Sequence, residues 1–388
     1  MTTLLHGGRL LDARGERASR DGQSARGERA GGAWVLLDAD AIADAGTGEA
    51  PDATEAVDLG DATLVPGFVE LHVHGGGGHT VDGGGAELES ALAAHRAHGT
   101  TRSLVSLVAN PLAELRESLA GIAALAARDP RVLGAHLEGP FLAPPRRGAQ
   151  AQAFLRHPDP ETIEGLLAAA GGALRQVTLA PELPGALAAV AQFARTGVTV
   201  AVGHTEADEA TAHAAFDAGA RMLTHAFNAM PGIHHRAAGP VVAAIDDERV
   251  TIELILDGLH VHPHVAKLLW DAAPGRIALV TDAMAAAAEA DGDYRLGTLN
   301  VSVRNGRALL SGTETIAGST LTQDVALRQA IAMGAEPSAA IAALTTIPAH
   351  AIGEERLGLL EPGYAADVVA LDPSWDVVGV WAAGGRAA

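Results

Sequence analysis

The sequence predicts an α/β protein: a (β/α)8 TIM barrel with a small β-sandwich domain built from the N- and C-terminal segments. Between residues 64 and 283 an apolar strand, a Gly-containing break and an Ala/Leu-rich helical stretch alternate, and the alternation yields eight strands. These strands are near-continuous apolar runs, as expected of a parallel sheet covered by helices. Eight is also the number that closes a barrel. An open, doubly wound sheet is the alternative arrangement of the same seven strand-to-strand steps. The length of 388 residues accommodates one large domain and a smaller one.

Residues 1–62 contain short strand-like pieces such as "AWVLLDADAIADAG" in a Gly/Arg/Asp-rich context. They are too short to bury a core alone. Their expected partner is 357–388, where "GLLEPGYAADVVALDPSWDVVGVWAAGG" reads as strands joined by Pro/Gly turns. Residues 63–356 are left for the barrel domain. Within the first segment Arg14–Gly32 has almost no apolar residues and is expected to be a mobile loop without assigned structure.

The barrel strands read in order as "LVPGFVELHVH", "TTRSLVSLV", "RVLGAHLEGP", "QVTLAPE", "GVTVAVGH", "ARMLTHAFN", "VTIELILDG" and "RIALVTDA". Helical stretches between them include "AELESALAAHRAHG", "PLAELRESLAGIAALAARD", "LPGALAAVAQFARTG", "EADEATAHAAFDAGA" and "HPHVAKLLWDAA". Several end in Gly, the residue that best tolerates the left-handed turn closing a helix. His262 and His264 read as helix-start residues. After strand eight, "RNGR" between alternating runs signals a hairpin.

Composition narrows the chemistry. The chain has no cysteine, which excludes disulfides, thiolate catalysis and Cys-ligated zinc. A metal would be held by His and carboxylates, a donor set that suits zinc, iron or manganese. A net charge of −20 argues against a nucleic-acid or anionic-membrane surface. The apolar runs are short, so no membrane span is expected, and the N-terminus lacks a basic-then-apolar signal pattern. A soluble cytoplasmic protein is the expectation. Lys267 is the only lysine.

Six ligand-capable residues fall at C-terminal strand ends: His72 and His74 on strand one, Glu138 on three, His204 on five, His225 on six and Asp282 on eight. Residues i and i+2 of a strand share a face, so His72 and His74 point together. Taken singly, each has a bland reading. A lone strand-end His is commonly a hydrogen-bonded structural residue, and Glu138 or Asp282 could cap a helix. Together they lie where a barrel builds its active site, and burying them without a cation is costly. The set predicts a divalent metal that activates water by lowering its pKa and polarises a carbonyl. Asp282 is the candidate proton shuttle.

With these residues placed, the chain resembles the amidohydrolase superfamily: an HxH on strand one, His on strands five and six, Asp on strand eight. "GAHLEGPFL", "AVGHT", "THAFNAM", "LILDGLHV", "VTDAM" and "TIAGST" follow the order of its N-acetylglucosamine-6-phosphate deacetylase family, across essentially the whole chain. That resemblance implies hydrolysis of the acetamide of a phosphorylated amino sugar. It implies Glu138, His204 and His225 as ligands of the main metal, zinc first among the candidates. Some members of the family lack the strand-one pair and hold one metal per subunit. With His72 and His74 both present, a second metal bridged by Glu138 is implied. The carboxylated-lysine subtype is excluded, because Lys267 lies in a helix after strand seven.

The resemblance further implies Asp282 as general base and acid, and Gln150 in the position from which some members polarise the amide carbonyl with His. Asn228, Ala229, Arg236 and His260 are the implied contacts for sugar and phosphate. In relatives the equivalent of Arg236 comes from the neighbouring subunit, which implies a homodimer. The rival expectations are an amidohydrolase for N-acyl amino acids or cyclic amides, and an inactive barrel kept for binding. The second would show eroded ligands, and none of the six is missing.

Overall fold

The computed structural model describes residues 2–17 and 32–388. Eight strands form one sheet in sequential order. They are numbered here β1 (Phe68–Glu70), β2 (Thr100–Leu107), β3 (Val132–Glu138), β4 (Leu174–Leu179), β5 (Thr199–Val202), β6 (Met222–Leu223), β7 (Thr251–Ile255) and β8 (Ile277–Val280). Every pairing from β2 to β8 is parallel. The circle closes just past the strand ends, where Val73 bridges Ala283 in parallel and Asp282 N–H donates to the His72 carbonyl at 2.8 Å. This is the barrel rather than the open sheet.

The helices fall where the apolar periodicity puts them, at Gly85–Arg96, Leu112–Ala126, Ala186–Arg195, Glu209–Ala218 and Pro263–Ala272. Pro160–Ala170 and Gly239–Asp246 complete the set of helices between barrel strands, each with Pro in its first turn, where the missing N–H costs nothing. His262 caps the helix that follows it, its side chain accepting from His264 N–H. The hairpin after β8 pairs Leu299–Arg304 with Arg307–Leu310 around Asn305 and Gly306, both at positive φ as a tight hairpin turn requires.

Contacts divide the chain into two compact units, Met1–Val69 with Arg96–Arg102 and Gln323–Ala388, and Glu70–His95 with Ser103–Thr322. In the first, one sheet runs Ala41–Thr47, Ala33–Asp38, Thr2–Gly7, Glu55–Asp58. A second places Val368–Leu371 and Val377–Ala382 from the C-terminal segment beside Thr63–Pro66 and Arg9–Asp12. Leu5, Val35, Leu10, Leu64, Val368 and Ala370 from both sheets share one apolar core, so the small β domain uses both chain ends.

Two details depart from the sequence reading. "LVPGFVELHVH" is not one strand. Thr63–Pro66 pairs with Val368–Leu371, and β1 begins only after Gly67. A side chain at Gly67 has no room, since its Cβ would lie 2.2 Å from Thr101 Oγ1. The expected loop at Arg14–Gly32 begins with order, because Gly15–Arg17 pairs with Arg9–Asp12. The Asp12 carboxylate fixes that turn, accepting from Arg14 N–H at 2.9 Å and from the Arg17 guanidinium at 2.8 Å. The remainder of that expectation, 18–31, lies outside the described residues.

One buried ion pair in the first unit has a measurable weight. Arg102 meets Asp367 with two hydrogen bonds, Nε to Oδ2 at 2.5 Å and a terminal nitrogen to Oδ1 at 3.1 Å. Asp367 Oδ1 also accepts from Ala383 N–H at 2.7 Å. Both side chains are buried. Asp367→Ala removes the carboxylate that faces a buried guanidinium and is expected to cost about 3–5 kcal/mol, read as a lower urea midpoint at unchanged m-value.

Candidate active site

The local sequence turns each candidate ligand inward. His204, His225 and Asp282 follow β5, β6 and β8, and all three adopt positive φ (47°, 26° and 48°). Non-glycine residues held there cost on the order of 1–3 kcal/mol each. The tight turn redirects each side chain from the strand line toward the barrel axis. Gly203 permits this at β5: a Cβ there would lie 2.7 Å from Thr224 Cβ and 2.8 Å from Thr178 Cγ2.

The six residues converge into two sets. In one, Glu138 Oε1 lies 2.9 Å from His204 Nε2 and 3.1 Å from His225 Nε2, and the two ring nitrogens are 3.1 Å apart. In the other, His72 Nε2 and His74 Nε2 are 3.1 Å apart, and Asp282 Oδ1 lies 3.6 and 3.3 Å from them. The donor atoms of each set lie within 4.8 Å of one another. Glu138 touches both: Oε1 is 3.3 Å from His72 Nε2 and Oε2 is 3.3 Å from His74 Nε2.

The second ring nitrogens test whether this donor set fits a metal. His74 Nδ1 faces the Ser106 carbonyl at 3.1 Å and His204 Nδ1 the Arg146 carbonyl at 2.7 Å. A carbonyl only accepts, so these Nδ1 atoms carry the hydrogen and Nε2 keeps a lone pair. His72 Nδ1 faces Glu253 Oε2 at 3.2 Å. Such outer partners orient imidazoles for coordination, and the nitrogen and oxygen donors fit a divalent cation.

Burial opposes a charged ring at His72 and His74, yet Glu138 and Asp282 outweigh it, raising His72 well above the usual imidazole range and His74 to about 9. Burial also works against ionised carboxylates, but the facing histidines hold Glu138 and Asp282 below their ordinary values.

A cavity of about 500 Å³ opens on this cluster. His74, Glu138, His204, His225, Asp282, Gln150, Asn228, Ala229 and His260 line it. Gln150 donates Nε2–H to Glu138 Oε2 at 2.6 Å and accepts from Ala109 N–H at 2.7 Å. Asn228 Nδ2 donates to the Ala226 carbonyl at 3.1 Å. His260 Nδ1 pairs with Asp257 Oδ2 at 2.7 Å. Burial disfavours the His260 cation, but Asp257 prevails and raises its pKa. Arg236 is not brought to this cavity. It is exposed on the turn where His234 bridges Ala237, with a guanidinium nitrogen 2.6 Å from His235 Nε2.

Sequence reasoning missed several residues. Arg146 and Arg147 line the cavity. The signal was present: a basic pair just ahead of Gln150 in an acidic chain. Glu70, whose carboxyl burial pushes up to about 7, accepts from His72 N–H at 2.9 Å and Thr281 N–H at 3.1 Å. Glu253 and Glu70 sit inside apolar strands and carry no motif.

The amidohydrolase family model matches residues 63–386. The chain is similar to N-acetylgalactosamine-6-phosphate deacetylase of Escherichia coli O157:H7, 38% identical over 327 residues that cover 83% of this chain and 86% of that protein. It is also similar to N-acetylglucosamine-6-phosphate deacetylase of Bos taurus, 35% identical over 348 residues covering 86% and 85%. Among solved structures, a point mutant of N-acetyl-D-glucosamine-6-phosphate deacetylase from Mycobacterium smegmatis, in complex with N-acetyl-D-glucosamine-6-phosphate, superposes with a TM-score of 0.92. Its sequence is 40% identical, and the alignment covers 100% of this chain and 99% of that one.

Proposed function

The chain belongs to the amidohydrolase family, and from that premise we propose how it hydrolyses the acetamide of N-acetylglucosamine-6-phosphate to glucosamine-6-phosphate and acetate. The observation that carries the reading is the convergence of two His/carboxylate sets on one cavity, in a chain similar along its whole length to a deacetylase holding that sugar phosphate.

Glu138, His204 and His225 would hold one divalent cation and His72, His74 and Asp282 a second, with Glu138 shared between them. Zinc suits the donors best; iron or manganese fit the same set. When bound, the cation supplies an electrophile for the carbonyl and brings the pKa of water toward neutrality. The remaining work falls to the side chains. Asp282 takes the proton of the attacking water and returns it to the departing amine nitrogen. Gln150 spends one amide hydrogen on Glu138 and keeps the other for the acetamide oxygen. Asn228 and the backbone at Ala229 border the sugar.

The phosphate needs positive charge in a protein of net charge −20. His260, favoured as a cation by Asp257, and Arg147, at the cavity wall, supply it from the same chain. Arg236 would serve the cavity of a neighbouring subunit in a homodimer. No described helix is long and apolar enough to cross a membrane.

The similarity to the galactosamine enzyme supports a second substrate, the C4 epimer. Deacetylation of both 6-phosphates and of unphosphorylated N-acetylglucosamine, with an N-acyl amino acid as control, separates the readings. Activity confined to the N-acyl amino acid would sink the proposal. Arg147→Ala and Arg236→Ala should each raise KM for the 6-phosphate about tenfold or more at little change in kcat, the loss of a charge-assisted contact being worth about 1.5–3 kcal/mol. An unchanged KM removes that arginine from phosphate binding.

A further inference from the structure

We propose that Glu253 is a positioning residue that selects how many cations the site holds, by fixing His72 as a ligand for the second one. The inference rests on the two-cation reading above. Glu253 sits in the middle of β7 and its side chain is fully buried. Its neighbours Ile252 and Leu254 are apolar and buried as well. A carboxylate in that position is costly unless its oxygens are hydrogen-bonded, and here they are. Oε2 faces His72 Nδ1 at 3.2 Å and accepts from His225 N–H at 3.3 Å, while Oε1 accepts from Gln176 Nε2 at 2.7 Å.

Glu253 also accepts from the His225 backbone N–H, but the only cluster imidazole whose ring it holds is that of His72. The Nδ1 atoms of His74 and His204 face backbone carbonyls, and His225 Nδ1 has no hydrogen-bond partner. Among the four imidazoles, His72 alone has its second nitrogen facing a side chain. An acceptor at Nδ1 places the ring hydrogen there and leaves the Nε2 lone pair turned toward His74, Glu138 and Asp282. Without that acceptor the ring is free to rotate or to change tautomer, and Nε2 then presents a hydrogen where a cation requires a lone pair. The rings of His204 and His225 have no side-chain acceptor at Nδ1.

The geometry also defines a conservative replacement. Glu253→Gln keeps one oxygen for His72 and His225. Its new amide faces Gln176, whose Oε1 has no partner in this structure and can turn to accept from it. Glu253→Leu removes the acceptor altogether.

The test is cation stoichiometry, with Zn2+ titrated by equilibrium dialysis into chelator-stripped protein and the Co2+ absorption spectrum as an independent readout. Wild type is expected to bind two cations per chain and Glu253→Leu one. Glu253→Gln should bind two, the second about tenfold or more weaker, the size typical of outer-partner changes. Two cations of wild-type affinity in Glu253→Leu, or the loss of both, overturn the selective role. If Glu253→Leu does not fold, Glu253→Met, which also lacks the acceptor, carries the test, and two cations of wild-type affinity in it overturn the proposal. A single cation in wild type overturns the two-cation reading along with it, whereas two cations untouched by Glu253 substitution overturn only the role given to Glu253.

Discussion

Asp282→Asn is expected to lower kcat by about three to four orders of magnitude, the upper part of the range for a positioned acid–base group, with KM little changed. The amide keeps the shape of the carboxylate and its place beside His72 and His74 but can no longer take a proton. In the unsubstituted protein the facing imidazoles keep the carboxyl ionised despite its burial, which is the state a base needs. The fall belongs to the proton transfer only if both cation sets remain loaded, so metal content is measured on the same sample. Turnover near that of the unsubstituted protein, with metal bound, would remove Asp282 from the reaction.

The second large effect is metal removal. Stripping divalent cations with a chelator, or replacing Glu138 by Gln, is expected to abolish turnover, because Glu138 is the one donor shared by both sets. The pH dependence has a definite sign. In the metal-free protein the His74 pKa is raised to about 9 from an ordinary value near 6.5. Its proton therefore stabilises the metal-free fold fully below about pH 6.5, and that contribution fades as pH rises through about 9. A cation requires the neutral ring, so its affinity rises over the same interval and binding releases protons. Calorimetric titration in buffers of different ionisation enthalpy measures that release. A cation affinity flat from pH 6.5 to 9 would contradict it.

How much of this was legible in the sequence depends on where each residue keeps its partners. His72, His74, Glu138, His204, His225 and Asp282 announce themselves because each interrupts or ends an apolar strand, and barrel topology brings such ends together. The barrel itself follows from eight apolar runs separated by helical periodicity. Glu253 and Glu70 are equally polar and equally buried, but their partners come from distant strands and no local spacing marks them. Gly67 divides what reads as one strand, because the close approach of Thr101 lies 34 positions ahead. Arg146 and Arg147 were readable as a basic pair beside Gln150. That they face the cavity depends on the path of the loop after β3.

The left-handed backbone at His204, His225 and Asp282 sets this chain's fitness for function against its resistance to heat. Glycine or asparagine at those positions would relieve the torsional cost. Variants selected for thermal tolerance alone are therefore expected to accumulate changes there, gaining stability as they lose chemistry. Only selection that includes turnover keeps three unfavourable dihedrals side by side. The ends of β5, β6 and β8 are where engineering this protein for robustness should leave the sequence alone.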